Sequence, residues 1–222
     1  MTPTESAAAK PQLITPTFVL AWVANFCQFL VFYLFVTTMA LYAVESFGAS
    51  DTVGGFASSA FVLGATCMRV FSGWIVDRVG HKKAALTSLV FVTVVAVAYF
   101  FAHNVAVLII VRMVHGAGYA LTSTALMAVA QSVIPHERRA EGTGYFALGT
   151  TLATAFGPAI GLLLANNIGY TTLFAAALGA NIVSLILALV LRYPAEVSSE
   201  KPAFKLRNAV HPNVVPIGLF ML

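Results

Sequence analysis

Hydrophobic positions in this chain fall into six long, nearly unbroken runs, at roughly 16–43, 53–76, 84–102, 106–130, 142–165 and 171–191. About 20 apolar residues cross the hydrocarbon layer of a bilayer as a helix, so each run predicts a transmembrane helix. The first is long enough to tilt or to run past the membrane surface. Polar residues gather in short connections, which makes consecutive helices antiparallel neighbours. The pattern therefore predicts an all-α membrane protein whose six-transmembrane-helix bundle occupies 16–192. A polar tail over 1–15 precedes it. A linker over 193–213, carrying Pro194, Pro202 and Pro212, follows it. Hydrophobicity resumes near Val214, and 214–222 reads as the start of a truncated seventh helix, so the chain is expected to be part of a longer protein. Spans one to three and four to six start from opposite membrane faces, so a 3+3 repeat would be an inverted one. Paired glycines after span two (Gly73, Gly80) and span five (Gly161, Gly169) echo such a repeat faintly.

Charge sharpens this picture. Only 9% of residues are charged and 59% are hydrophobic, against about 25% charged in soluble domains. No signal peptide is visible, because the first apolar run is too long for one. Arg78, Lys82 and Lys83 lie between spans two and three, Arg138 and Arg139 between four and five, and Arg192, Lys201, Lys205 and Arg207 after six. The other connections carry no lysine or arginine. That alternation is the positive-inside pattern of a chain with a cytoplasmic N-terminus. The net charge of +4 is accordingly a topology signal, not a nucleic-acid footprint. Cys27 and Cys67 lie within apolar spans and form neither a disulfide framework nor a metal cluster. No HExxH pair, nucleophile elbow or P-loop is present, so no enzyme, metal or cofactor is expected.

The intramembrane polar residues carry the chemistry. Arg112 lies about eight residues, or roughly 12 Å, into span four. An arginine at that depth costs at least ~2.5 kcal/mol and usually faces a bundle interior or a water cavity. His115, Tyr119 and Thr122 share its face. On span one Asn25, Gln28 and Phe32 share another, and the two sets together are candidates for one cavity. Asn25, Gln28 and His115 also fit a plainer role as interhelical hydrogen-bonding groups. Arg69, two turns before Asp77, fits snorkelling to the surface as well as it fits a functional role. No Asp or Glu lies in any of the six apolar runs, which leaves His115 as the intramembrane group able to titrate near neutrality. Span five is rich in small residues, which allow close helix approach. Pro158 breaks a helical hydrogen bond there, and Thr150, Thr151 and Thr154 are candidates to satisfy the freed backbone groups.

The connection from Arg69 to Lys83 contains more than a topology anchor needs. Gly73, Asp77, Arg78, Gly80 and Lys82 resemble motif A of the major facilitator superfamily, with His81 in place of the usual arginine. Arg112 followed by Gly116 resembles motif B, with His115 where a glutamine is frequent. Gly144, Gly157, Pro158 and Gly161 resemble the antiporter motif C, with Ala153 and Leu162 replacing two of its glycines. The resemblance covers nearly the whole chain. It implies the N-terminal half of a twelve-span protein whose two bundles rock about a central site. It also implies that Asp77 latches onto the other bundle, assisted by a loop acid for which Glu137 is nearest. Arg112 would take part in proton coupling, and the Pro158 region in the rocking.

These readings lead to a secondary active transporter of the plasma (inner) membrane, proton-coupled and exporting a small organic or amphipathic compound by alternating access. Arg112 and His115 are assigned to coupling, and Asn25, Gln28 and Tyr119 to the cavity wall. The partners expected are the substrate, protons, the lipid bilayer and the missing C-terminal six-helix half, with no nucleic acid. The alternatives are a proton-coupled importer of a metabolite anion or sugar, and a non-transporting half-transporter remnant.

Overall fold

The computed structural model describes residues 12–193. Six helices run in sequence: α1 Pro16–Phe47, α2 Asp51–Val79, α3 His81–Ala98, α4 Val105–Val133, α5 Arg139–Asn167 and α6 Tyr170–Val190, with short 3₁₀ turns at Tyr99–Phe101 and His136–Arg138. All six are long and apolar enough to cross a membrane. The expected spans are all present, and most helices extend past the apolar runs. The terminal turns carry polar residues, including Glu45, Asp51, Asp77 and Glu141, beyond the stretch that hydrocarbon must solvate. The linker beyond 193 and the seventh helix lie outside the described residues, as does the tail up to 11.

Local chemistry explains the boundaries. Thr15 caps α1 by accepting from the Phe18 amide at 3.2 Å, with Pro16 just inside the helix. Asn104 caps α4 by accepting from the Val107 amide at 2.9 Å. Gly48 ends α1 in the left-handed region (φ 64°), its amide bonding Val44 O while Ala49 bonds Ala43 O. The Gly48–Val44 bond is that of an αL cap, which favours glycine. Between α2 and α3 stands one residue, Gly80, at φ 94°. A side chain there would be strained, so the glycine is what permits so abrupt a reversal.

The two most extensive helix contacts are α2 with α4 and α1 with α5, followed by α3 with α4 and α1 with α6 among the next. Exchanging α1 for α4, α2 for α5 and α3 for α6 maps each of these pairs onto its counterpart, the pattern a 3+3 repeat produces. Small residues make both principal crossings possible. A Cβ on Gly64 would collide with the Met113 backbone, and one on Gly116 with the carbonyl of Phe61. At the α1–α5 crossing, a Cβ on Gly161 would stand 2.5 Å from Leu34 O, and one on Gly157 would strike Tyr33. The outer surface is apolar, with Val94, Phe101, Leu163 and Leu189 exposed, whereas Arg112, His115, Gln28 and Asn181 are buried. An inside more polar than its outside fits a bilayer as solvent.

Candidate functional site

Arg112 projects from α4 into the interior and is completely buried. Its Nη2 donates to Ser58 O at 2.8 Å and its Nε to Ala57 O at 3.4 Å, both carbonyls of α2. The guanidinium carbon stands 4.9 Å from the Phe61 ring centre and 5.8 Å from that of Phe35, a cation–π cradle of the kind that strengthens when desolvated. Nη1 has no hydrogen-bond partner, and no carboxylate pairs with the group among the described residues. One turn further on, His115 Nδ1 meets the Tyr99 hydroxyl at 3.0 Å. Tyr99 also lies beside the guanidinium and tilts against Phe35 and Phe174. The result is an Arg–Tyr–His cluster sealed in aromatic rings. Arg112 and His115 are thus brought together, inside the bundle and away from any open surface.

A separate cleft of about 260 Å³ opens between α1, α2, α4 and α5, lined by Asn25, Phe29, Arg69, Ser123, Thr124, Met127, Phe146, Ala147 and Thr150. Asn25 is 3% exposed, and its Oδ1 has no partner. Arg69 is exposed and lies beside the Tyr119 hydroxyl. Ser123 Oγ and Thr124 Oγ1 donate to Ala120 O, Thr124 also meeting Ser72 Oγ at 3.1 Å, so both present lone pairs. Tyr119 packs edge-on to Phe29 and is largely buried behind the cleft.

Asn25 and Gln28 part company in the structure. Gln28 Nε2 donates to Asn181 Oδ1 at 3.0 Å in a buried pair that joins α1 to α6, and Asn181 Nδ2 donates to Ala177 O. The amide of Gln28 is therefore engaged between helices, while Asn25, three residues earlier, reaches the cleft.

The α2–α3 corner is laid out differently. Asp77 is exposed in the last turn of α2, with no ion pair or hydrogen bond among the described residues. Arg78 lies over the Trp74 ring at 5.4 Å, and Lys82 over Tyr193 at 5.8 Å. Burial pushes the Tyr193 hydroxyl up to about 12, so it stays a neutral donor to Ala188 O. A Cβ on Gly73 would meet nothing within 4 Å. His81 opens α3, half-buried. Glu137 is exposed in the 3₁₀ turn before α5, and the acid that pairs with Arg138 is Glu141, at 2.8 Å. In α5 the helix continues through Pro158. Thr154 Oγ1 donates to Thr150 O and Thr151 Oγ1 to Ala147 O. Their hydroxyls thus serve the preceding turn, not the Thr154 carbonyl that Pro158 leaves without an amide partner. Gly144, like Gly73, faces open space, while Gly157 and Gly161 press against α1.

A family model described as Major Facilitator Superfamily matches residues 21–221. The chain belongs to the Major Facilitator Superfamily. Among curated relatives, the multi-drug resistance efflux pump PmrA of Streptococcus pneumoniae is 30% identical over 161 residues, covering 70% of this chain and 39% of the pump. The staphylopine export protein of Staphylococcus aureus is 31% identical over 123 residues, 54% of this chain and 31% of that protein. The chain thus spans well under half the length of these relatives. A solved peptide transporter POT, crystallised with sulfate, superposes with a TM-score of 0.72 at 14% identity, covering 92% of this chain and 44% of that one. That likeness shows the fold. The protein is a multi-pass membrane protein of a transporter superfamily.

For this superfamily member, sequence reasoning missed two partners. Tyr99 completes the Arg112–His115 cluster from the end of α3, and Asn181 receives Gln28. Asn181 is an uncharged polar residue deep in an apolar run, a signal that was present. Tyr99 left none, because an aromatic near a helix end is ordinary in membrane proteins.

Proposed function

We propose that the complete protein is a proton-coupled exporter of a small organic or amphipathic compound, and that this bundle supplies one wall of its substrate site. The observation that carries the reading is the cleft between α1, α2, α4 and α5. It combines apolar walls with the polar Asn25, Ser123 and Thr124 side chains and the exposed Arg69, the mixture expected of a small-molecule site. The likeness to two named exporters supports the direction. A cleft open along one bundle needs a second bundle to close it, and the chain's share of PmrA leaves room for one.

In this reading the Arg–Tyr–His cluster is the coupling element. It sits one helix layer behind the cleft, and Phe61 touches both Tyr119 and His115. A change in the cluster reaches the cleft through that ring. Asp77 and Gly73 present a carboxylate and a bare helix surface at the edge of α2, which suits docking against the second bundle as a gate. The N-terminus, the α2–α3 and α4–α5 corners and the end of α6 then lie on the cytoplasmic side of the plasma membrane, as the lysine and arginine distribution directs.

The test is efflux from cells expressing the complete protein, wild type beside Arg112→Ala. Export that depends on the proton gradient in wild type and fails in the variant supports the reading. Unchanged proton-driven export in Arg112→Ala removes Arg112 from coupling. Uptake that rises with an inward proton gradient reverses the direction.

A further inference from the structure

We propose that the cleft selects substrates bearing an anionic group, held by the Arg69 guanidinium, with a neighbouring hydrogen-bond donor that meets Asn25. The proposal rests on the reading of this cleft as the substrate site and adds the class of compound it takes.

Three observations carry it. First, the charge of the cleft is of one sign. Arg69 is its one charged lining residue. The described acids (Glu45, Asp51, Asp77, Glu137 and Glu141) all sit in terminal turns or connections, and the one ion pair among the described residues is Arg138 with Glu141. Arg69 therefore faces the cleft with the Tyr119 hydroxyl beside it and no carboxylate among the described residues. A planar guanidinium in such a setting recognises carboxylate or sulfonate groups through paired donors. A cationic compound would meet like charge with nothing to offset it.

Second, Asn25 is 3% exposed, lines the cleft, and leaves Oδ1 without a donor. A buried polar atom of this kind is normally satisfied; Oδ1 is itself covered, so a hydroxyl or amine on a bound molecule meets it once the amide turns toward the cleft that Asn25 lines. Third, the remaining polar atoms agree. Ser123 and Thr124 direct their hydrogens at Ala120 O, so they offer acceptors, while Phe29, Phe146 and Met127 supply flat or adaptable apolar walls. At about 260 Å³ the cleft falls just under the ~300–1,000 Å³ of drug-sized pockets, as expected of one wall of a shared site. The complementary compound has an aromatic or aliphatic body, an acid at one end and a donor nearby.

The experiment uses cells making the complete protein, loaded with fluorescein as the anionic probe or ethidium as the cationic one. Wild type is compared with Arg69→Gln, Arg69→Lys and Thr150→Trp at matched membrane levels. Thr150→Trp fills the cleft without touching its charge. The expected result is export of fluorescein over ethidium. Arg69→Gln should lower fluorescein export about ten- to hundredfold, the loss of one charge-assisted contact, with partial recovery in Arg69→Lys and full block in Thr150→Trp. Preference for ethidium overturns the anion assignment while leaving the cleft reading intact. So does fluorescein export that survives Arg69→Gln but not Thr150→Trp. Export unaffected by Thr150→Trp overturns the cleft reading itself.

Discussion

Replacing Arg112 by methionine separates the two jobs that a buried arginine can do. If the residue is kept for stability, its loss should be costly. The structure argues otherwise. The guanidinium makes two hydrogen bonds, to Ala57 O and Ser58 O, and a charged donor contributes ~1.5–3 kcal/mol for each. The Phe61 and Phe35 rings add up to ~2 kcal/mol. Against this stands the desolvation of an ion with no carboxylate partner, several kcal/mol even after relaxation, and the unpaired Nη1. The carbonyls of Ala57 and Ser58 lie within α2 and keep their helical amide donors when Arg112 is gone. Methionine fills much of the space with an adaptable side chain. Arg112→Met should therefore lie within about 1 kcal/mol of wild type, a Tm shift of about 2–4 °C. Under the coupling role proposed for Arg112, proton-driven transport should still fall to background. Thermal unfolding of the purified complete protein in detergent, paired with transport in proteoliposomes, makes the comparison. A Tm drop well beyond 8 °C with transport preserved would refute the reasoning and make Arg112 a structural residue. Arg112→Ala is the poorer probe, because a cavity among Phe35, Phe61 and Tyr99 adds ~2–5 kcal/mol of its own.

Other consequences follow from packing. Gly116→Ala should strongly reduce folded yield, since its Cβ would enter the Phe61 carbonyl. Gly73→Ala and Gly144→Ala should fold like wild type, having open space to occupy, and size-exclusion profiles will show the contrast. A Gly73→Ala variant that folds but transports poorly would support the proposed docking of this surface against a second bundle. Gln28→Leu or Asn181→Leu alone should destabilise by ~1–3 kcal/mol, because each strands a buried amide. The double variant should recover part of that loss in the same thermal assay. Asp77→Asn should leave Tm unchanged, as the carboxylate is exposed with no partner among the described residues, yet it should slow transport. Wild-type rates in Asp77→Asn would reduce this corner to a topology anchor.

The helices were legible in the sequence because hydrocarbon imposes a length and a composition that few other settings share. Their ends were less so. Polar terminal turns such as those holding Glu45 and Asp77 carry no hydropathy signal, although the caps at Thr15, Asn104 and Gly48 are readable afterwards. Burial of Arg112 and its closeness to His115 could be read from depth and the helical period. Which interior each polar residue faces could not. Asn25 and Gln28 are three positions apart and read as one face, but that separation is enough for one to reach α6 and the other the cleft. Tyr99 joins the cluster only because α3 packs against α4, a tertiary fact. Motif glycines likewise divide by neighbour: Gly157 and Gly161 seat α1, whereas Gly73 and Gly144 seat nothing within this bundle.

The central claim is that the cleft beside Asn25 and Arg69 opens alternately to the two sides of the membrane, with Asp77 governing the exchange. Cysteine accessibility tests it without knowledge of the substrate. Thr150→Cys, placed in the complete protein with every native cysteine, Cys27 and Cys67 among them, replaced by alanine, is treated with a membrane-impermeant thiol reagent in right-side-out and in everted vesicles. The account predicts modification from both sides, and a marked shift toward one side when Asp77→Asn is added. Modification from one side only, unchanged by Asp77→Asn, would contradict it.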